Sequence, residues 1–170
     1  MKTDSSLLEF GLLPMLELPN GQRLSQTKAI LRTLGQTHGY WTKDPKEAWI
    51  IDSTMDSVND ELSKIATINL CKDAEEKNAL FFDYLTKGLP QWLSIMEKRL
   101  AGKTFVVGDR ITIADFCLGA FLHSVHANPE NPACCTYKHV LKEYPAVTAY
   151  IATMGKECEE RLRSRGPAFM

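Results

Sequence analysis

Few residues of this chain combine a reactive type with a useful spacing, and the clearest case is Gln26-Thr27. They stand just ahead of Ala29, Ile30, Leu31 and Leu34, which recur at helical spacing. A helix N-terminus offers unpaired amides and a partial positive charge, so Thr27 with its hydroxyl and Gln26 with its carboxamide suit a carboxylate. Taken alone, the pair equally serves as a plain helix cap. Asp56 and Asp60 lie one helical turn apart and read as a solvated stripe. The five cysteines, Cys71, Cys117, Cys134, Cys135 and Cys158, form no Cys-x-x-Cys, and His123, His126 and His139 add no zinc spacing. No metal site is expected, and the thiols read as reduced. The vicinal pair Cys134-Cys135 falls in a Pro- and Asn-rich stretch read as a loop, with no cation nearer than Lys138 to activate a thiol.

The elements that position these residues are legible from periodicity. Leu13-Pro14-Met15-Leu16-Glu17-Leu18 is a short apolar run, Pro19-Asn20-Gly21-Gln22 carries a tight-turn signature, and Arg23-Leu24-Ser25 returns as a second strand. A helix from Gln26 to Leu34 follows, with Gly35 and Gly39 as stop signals. Residues 41–45 read as a linker in which Asp44 caps the next helix and Pro45 fills its first turn. The chain is thus expected to divide into 1–40, the linker, and an all-helical 46–170.

Between Lys46 and Asp73, Ile51, Met55, Val58, Leu62, Ile65 and Ile68 define one face of a long amphipathic helix. A second helical run, from Ala74 to Leu100, must kink or break at Gly88-Leu89-Pro90. The next places Ile113, Phe116, Cys117, Ala120 and Phe121 on a buried stripe, and a last one runs from about Pro145 to Arg163 into a basic tail. Thr112 and Asp115 form a capping box, worth about 1 kcal/mol and silent about catalysis, with Ile111 stapling onto Phe116.

Composition narrows the partners. Over 170 residues, 44% are hydrophobic, and 20 basic against 21 acidic side chains leave a charge of −1. No global field draws the chain to nucleic acid or anionic membrane. No apolar run approaches a bilayer span, and Met1 to Ser6 carries no signal core, so a cytoplasmic address without membrane insertion is expected.

The segment Phe105-Val106-Val107-Gly108-Asp109, followed by Thr112-Ile113-Ala114-Asp115, resembles the capping box and staple of the helical domain of cytosolic glutathione transferases. The likeness runs back to Leu89-Pro90 and on to Tyr144-Pro145-Ala146-Val147, essentially the whole chain. Independently, Leu13-Pro14-Met15 is similar to the family's third strand, entered through a cis proline, and Gln26-Thr27-Lys28-Ala29-Ile30-Leu31 is similar to its Gln-Ser/Thr-x-Ala-Ile segment, most of all in alpha-type enzymes. The remainder is equally sigma-like or mu-like.

The resemblance implies a mainly α fold: a truncated thioredoxin-like α/β part, hairpin plus helix, followed by an all-α domain. It implies glutathione as a cosubstrate, with no other cofactor, held by the backbone of Leu13 and Met15 around Pro14 and by Gln26 and Thr27. Asp60 would reach glutathione on the other subunit of a homodimer. Nothing before Phe10 matches the strand that carries the family's catalytic Tyr, Ser or Cys; Tyr40, Tyr84, Ser5 and Ser6 are out of register. No catalytic residue is therefore assigned. Two functions follow: a glutathione transferase with conjugation to an electrophile as its ancestral reaction, or a non-catalytic subunit or interaction module of a larger assembly.

Overall fold

In the computed structural model, which describes residues 8–164, the chain divides into a unit ending at Ala48 and a unit beginning at Trp49. The expectations for Met1 to Ser6, Ser5 and Ser6 among them, and for the basic tail beyond Ser164 lie outside the described residues.

In the first unit, β1 (Met15–Glu17) and β2 (Arg23–Ser25) pair antiparallel in the register Met15↔Ser25, Leu16↔Leu24 and Glu17↔Arg23. The turn closes because Gly21 takes φ +82°, a conformation without steric cost only for glycine, and the Gln22 amide donates to Asn20 Oδ1 at 3.0 Å. Helix α1 (Thr27–His38) then buries Ile30 and stops at Gly39, whose left-handed backbone lets its N–H bond Gly35 O.

From Pro45 to Ser164 the regular elements are all helices, the first of which starts in the first unit and continues into the second. Helix α2 (Pro45–Leu70) begins where Asp44 Oδ1 accepts from Lys46 N at 2.7 Å, the cap expected from sequence. It is followed by α3 (Ala74–Asp83), α4 (Leu89–Leu100), α5 (Ile113–Phe121), α6 (Cys134–Leu141), α7 (Pro145–Glu157) and α8 (Glu159–Ser164). Pro90 does not interrupt the second run; one π-helical turn, Tyr84–Gly88, passes α3 directly into α4, with the proline in the first turn of α4 where its missing donor is tolerated.

The core holds Ile51, Met55, Val58, Leu93, Met96 and Leu100, as the periodicity implied. Two further readings need correction. The buried face of α5 is Ile113, Ala114, Asp115, Leu118, Gly119 and Phe121, while Phe116 and Cys117 are half-buried and Ala120 is exposed. The face is rotated because Asp115 turns inward to its hydrogen bonds and Gly119 packs against Met154, whose Cε lies 3.0 Å from where a Cβ would stand. Cys134 and Cys135 lie in the first turn of α6 rather than a loop, because Asn131 Oδ1 takes the Ala133 amide at 2.9 Å and starts the helix.

Helices α2 and α4 are tied by one guanidinium: Arg99 Nη1 donates to Thr54 Oγ1 (2.7 Å), Ser53 Oγ (2.9 Å) and Ile50 O (3.2 Å). Helix α4 also starts α7, since the Glu97 carboxylate accepts from Ala146 N at 2.9 Å and Val147 N at 3.0 Å. A charged acceptor on two otherwise unpaired first-turn amides makes Glu97→Ala cost about 1–2 kcal/mol, with Glu97→Gln recovering part of it. Urea midpoints of the three proteins check this.

Candidate functional site

The first unit brings five of the sequence-assigned residues onto one short stretch. The Leu13–Pro14 bond is cis, as the family resemblance implied. Leu13 is exposed and Met15 is half-buried at the start of β1. Across the hairpin Met15 faces Ser25, the last residue of β2, which leads directly into Gln26.

Gln26 is the one non-glycine residue among those described with a positive φ, at φ 70° and ψ 113°. Such a backbone costs about 1–3 kcal/mol and persists where the surroundings require it. It turns the chain from strand into α1, and the Gln26 side chain makes no cap to its own helix. Thr27 is exposed, and the first turn carries no acidic residue. Ile30 N donates to Gln26 O at 2.9 Å, the first helical bond of α1. A helix N-terminus, an exposed hydroxyl and a carboxamide that does not cap its own helix thus follow directly on the residue paired with Met15. That set of donors accepts an anion.

Asp60 lies on α2 in the second unit, exposed, at the rim of a recess of about 240 Å³ bordered by Ser57, Lys64, Gln91 and Ile95. Glu61 and Trp92 form its floor, and sequence reasoning missed them both. Glu61 is only 1% exposed; Lys64 Nζ donates to its Oε1 at 2.6 Å, while Oε2 and Trp92 Nε1 have no hydrogen-bond partner. Behind them the Tyr84 hydroxyl stands 3.3 Å from His126 Nε2. Burial, reinforced by the adjacent Glu61 charge, raises the Tyr84 pKa, and burial pulls His126 down to about 3. Tyrosine and imidazole are both neutral at physiological pH. The sequence signal for Glu61 was its spacing, three residues after Val58 and four before Ile65 on the apolar face of α2, where a carboxylate is unexpected.

A larger cavity of about 380 Å³ opens between α2, α3 and the stretch before α6. Its walls include Ile65, Ile68, Phe81 and Tyr137, with Lys77 as its cation. Burial raises the Tyr137 hydroxyl to about 12, so it too is neutral. Apolar walls with one ammonium suit an apolar molecule bearing an anionic group. Among the described residues no cluster of three or more His, Cys, Asp or Glu side chains could hold a metal, and no helix is long and apolar enough to cross a membrane.

Residues 59–158 match the family model described as "Glutathione S-transferase, C-terminal domain". The chain is 34% identical over 167 residues to glutathione S-transferase P of Bos taurus, covering 95% of this chain and 72% of that protein. It is 34% identical over 151 residues to glutathione S-transferase P of Homo sapiens, covering 85% of this chain and 64% of that protein. The chain therefore spans about two thirds of the length of these relatives, whose P-class name joins the alpha, sigma and mu likenesses of the sequence. The fold superposes on rat hPGDS, solved with a quinoline, at a TM-score of 0.80 and 22% identity, covering 98% of this chain and 79% of the other. Hairpin, helix and helical domain all fall within these matches, and the chain belongs to the glutathione S-transferase family.

Proposed function

We propose that this chain recognises glutathione through the first unit, with glutathione conjugation as the ancestral reaction of its family. The observation that supports this is the start of α1, where Gln26 and Thr27 are exposed, Gln26 makes no cap to its own helix, and no acidic residue occupies the first turn. The γ-glutamyl carboxylate meets those donors, and the backbone of Leu13 and Met15, on either side of Pro14, pairs with the cysteinyl part as an added strand. Asp60, on α2, contributes to glutathione held by the other subunit of a homodimer.

Conjugation further requires a group that holds the glutathione sulfur as thiolate. Residues 8–12, Leu-Glu-Phe-Gly-Leu, offer no hydroxyl or thiol for that task. Recognition of the peptide is assigned to the residues named above, and activation of its sulfur to none of them.

Retention on immobilised glutathione tests recognition. The unsubstituted chain is expected to be retained and eluted by free glutathione, and Gln26→Ala to weaken binding about tenfold, the loss of one or two hydrogen bonds to a charged ligand. Equal failure of both proteins to bind would overturn the proposal.

A second reading, a non-catalytic assembly subunit, is favoured by β1: the sheet is two-stranded among the described residues, so one edge of β1 lacks a strand neighbour. Native mass spectrometry separates homodimer from hetero-assembly.

A further inference from the structure

We propose that Cys134 and Cys135 form a vicinal dithiol site that chelates trivalent organoarsenicals. Both thiols are free, Cys135 is exposed and Cys134 half-buried, and their sulfurs stand 4.0 Å apart. The pair is held on a braced turn. Cys134 N donates to Asn131 O at 2.9 Å, while Asn131 takes the Ala133 amide and donates its own Nδ2 to Val125 O at 2.9 Å. Asn128, itself buried, adds a bond from Glu130 N at 3.0 Å. The α carbons therefore have little freedom to move.

That fixed spacing selects the chemistry. A disulfide needs sulfurs about 2.05 Å apart and α carbons usually about 4.4–6.8 Å apart, whereas neighbours across a trans peptide are held at about 3.8 Å. Closing the pair would demand an approach of about 2 Å against the helical backbone. A soft ion between the sulfurs asks for far less. Two bonds of about 2.3 Å, the length of a zinc–thiolate bond, opened to roughly 90–110°, span roughly 3.3–3.8 Å. The observed separation needs to contract by only a few tenths of an ångström.

Zinc itself requires about four ligands, and no third His, Cys, Asp or Glu joins a metal-binding group here among the described residues. An arsenic(III) centre whose third substituent is carbon needs only the two thiols, and thiolates are its preferred soft ligands. The step is a condensation without redox change. Each thiol sulfur forms a bond to arsenic, each arsenic–hydroxyl bond breaks, and each thiol proton leaves with the hydroxide as water. The second exchange is intramolecular, so the chelate outlasts any single-thiol adduct.

Phenylarsine oxide, which is the diol in water, is the probe. Intact mass is expected to show one phenylarsenic per chain with the loss of two titratable thiols. The adduct should persist in excess monothiol and be removed by a 1,2-dithiol. Peptide mapping should place it on the segment carrying Cys134 and Cys135. Cys134→Ser and Cys135→Ser, both substitutions on the surface turn, should each weaken retention at least about a hundredfold. A monothiol-resistant adduct that maps elsewhere, that survives in Cys135→Ser, or that never forms in the unsubstituted chain overturns the site.

Discussion

Replacing Asp115 with alanine is expected to destabilise the helical unit by about 3–5 kcal/mol, the range for removing one side of a fully buried charged network. Asp115 has no exposed surface. Its Oδ1 accepts from Val106 N at 2.8 Å and from the Tyr150 hydroxyl at 3.1 Å, and its Oδ2 accepts from Thr112 N at 2.8 Å and Thr112 Oγ1 at 3.0 Å. One carboxylate therefore fixes the strand-like loop before α5, caps α5 and anchors α7. Alanine leaves two buried amides without acceptors and opens a void, whereas Thr112→Val removes only the hydroxyl's side of the capping box and should cost about 1 kcal/mol. Urea unfolding followed by circular dichroism reads both. A loss for Asp115→Ala no larger than for Thr112→Val would show that the network is not what holds these segments.

The second large effect is a dependence of stability on acid. His126 is fully buried among Trp92, Phe121 and Tyr137, with Tyr84 as its one hydrogen-bonding neighbour and Glu61 and Lys64 beyond it. Desolvation holds its folded pKa at about 3, against about 6.5 in an unfolded chain. The sign follows directly. Below about pH 6.5 the unfolded state takes up a proton that the folded state refuses, so stability is full above that pH and falls as the solution is acidified. One such proton amounts to about 1.4 kcal/mol per pH unit at the steepest. Between roughly pH 6 and 5, above most of the titration of ordinary carboxylates, the slope in the unsubstituted chain should exceed that of His126→Phe by close to one proton. Equal slopes would mean that His126 is protonated within the fold.

What the sequence disclosed was local. The hairpin was legible because Asn20-Gly21 dictates its turn, α1 because Gly39 must end it, and the capping box because Thr112 and Asp115 are three residues apart. The cis Leu13–Pro14 bond and the Gln26-Thr27 helix start came from family likeness laid over those local signals. What stayed hidden depends on partners far away in sequence. Thr54 is buried because Arg99 reaches it from α4, and Glu61 is buried beside Tyr84 and Trp92; both share the apolar face of α2 by spacing, but as polar side chains neither was read into the core. Phe116 and Cys117 yielded the core to Asp115 and Gly119 because two hydrogen-bonded segments and Met154 close on that side of α5. Helix α6 escaped notice because its start is set by the Asn131 side chain, which composition alone records as loop. Of the candidate glutathione residues, five lie along one continuous stretch and could be found there, while Asp60 rests on position along α2 alone.

The most direct test is a titration of isotope-labelled protein with reduced glutathione, followed by backbone amide resonances. Saturable shifts concentrated at Met15, Gln26, Thr27 and Lys28 are expected, and they should be lost when the γ-glutamyl carboxylate is amidated. Amides of that stretch that stay unmoved at millimolar glutathione, in a protein whose helical resonances show it folded, would contradict glutathione recognition by this chain.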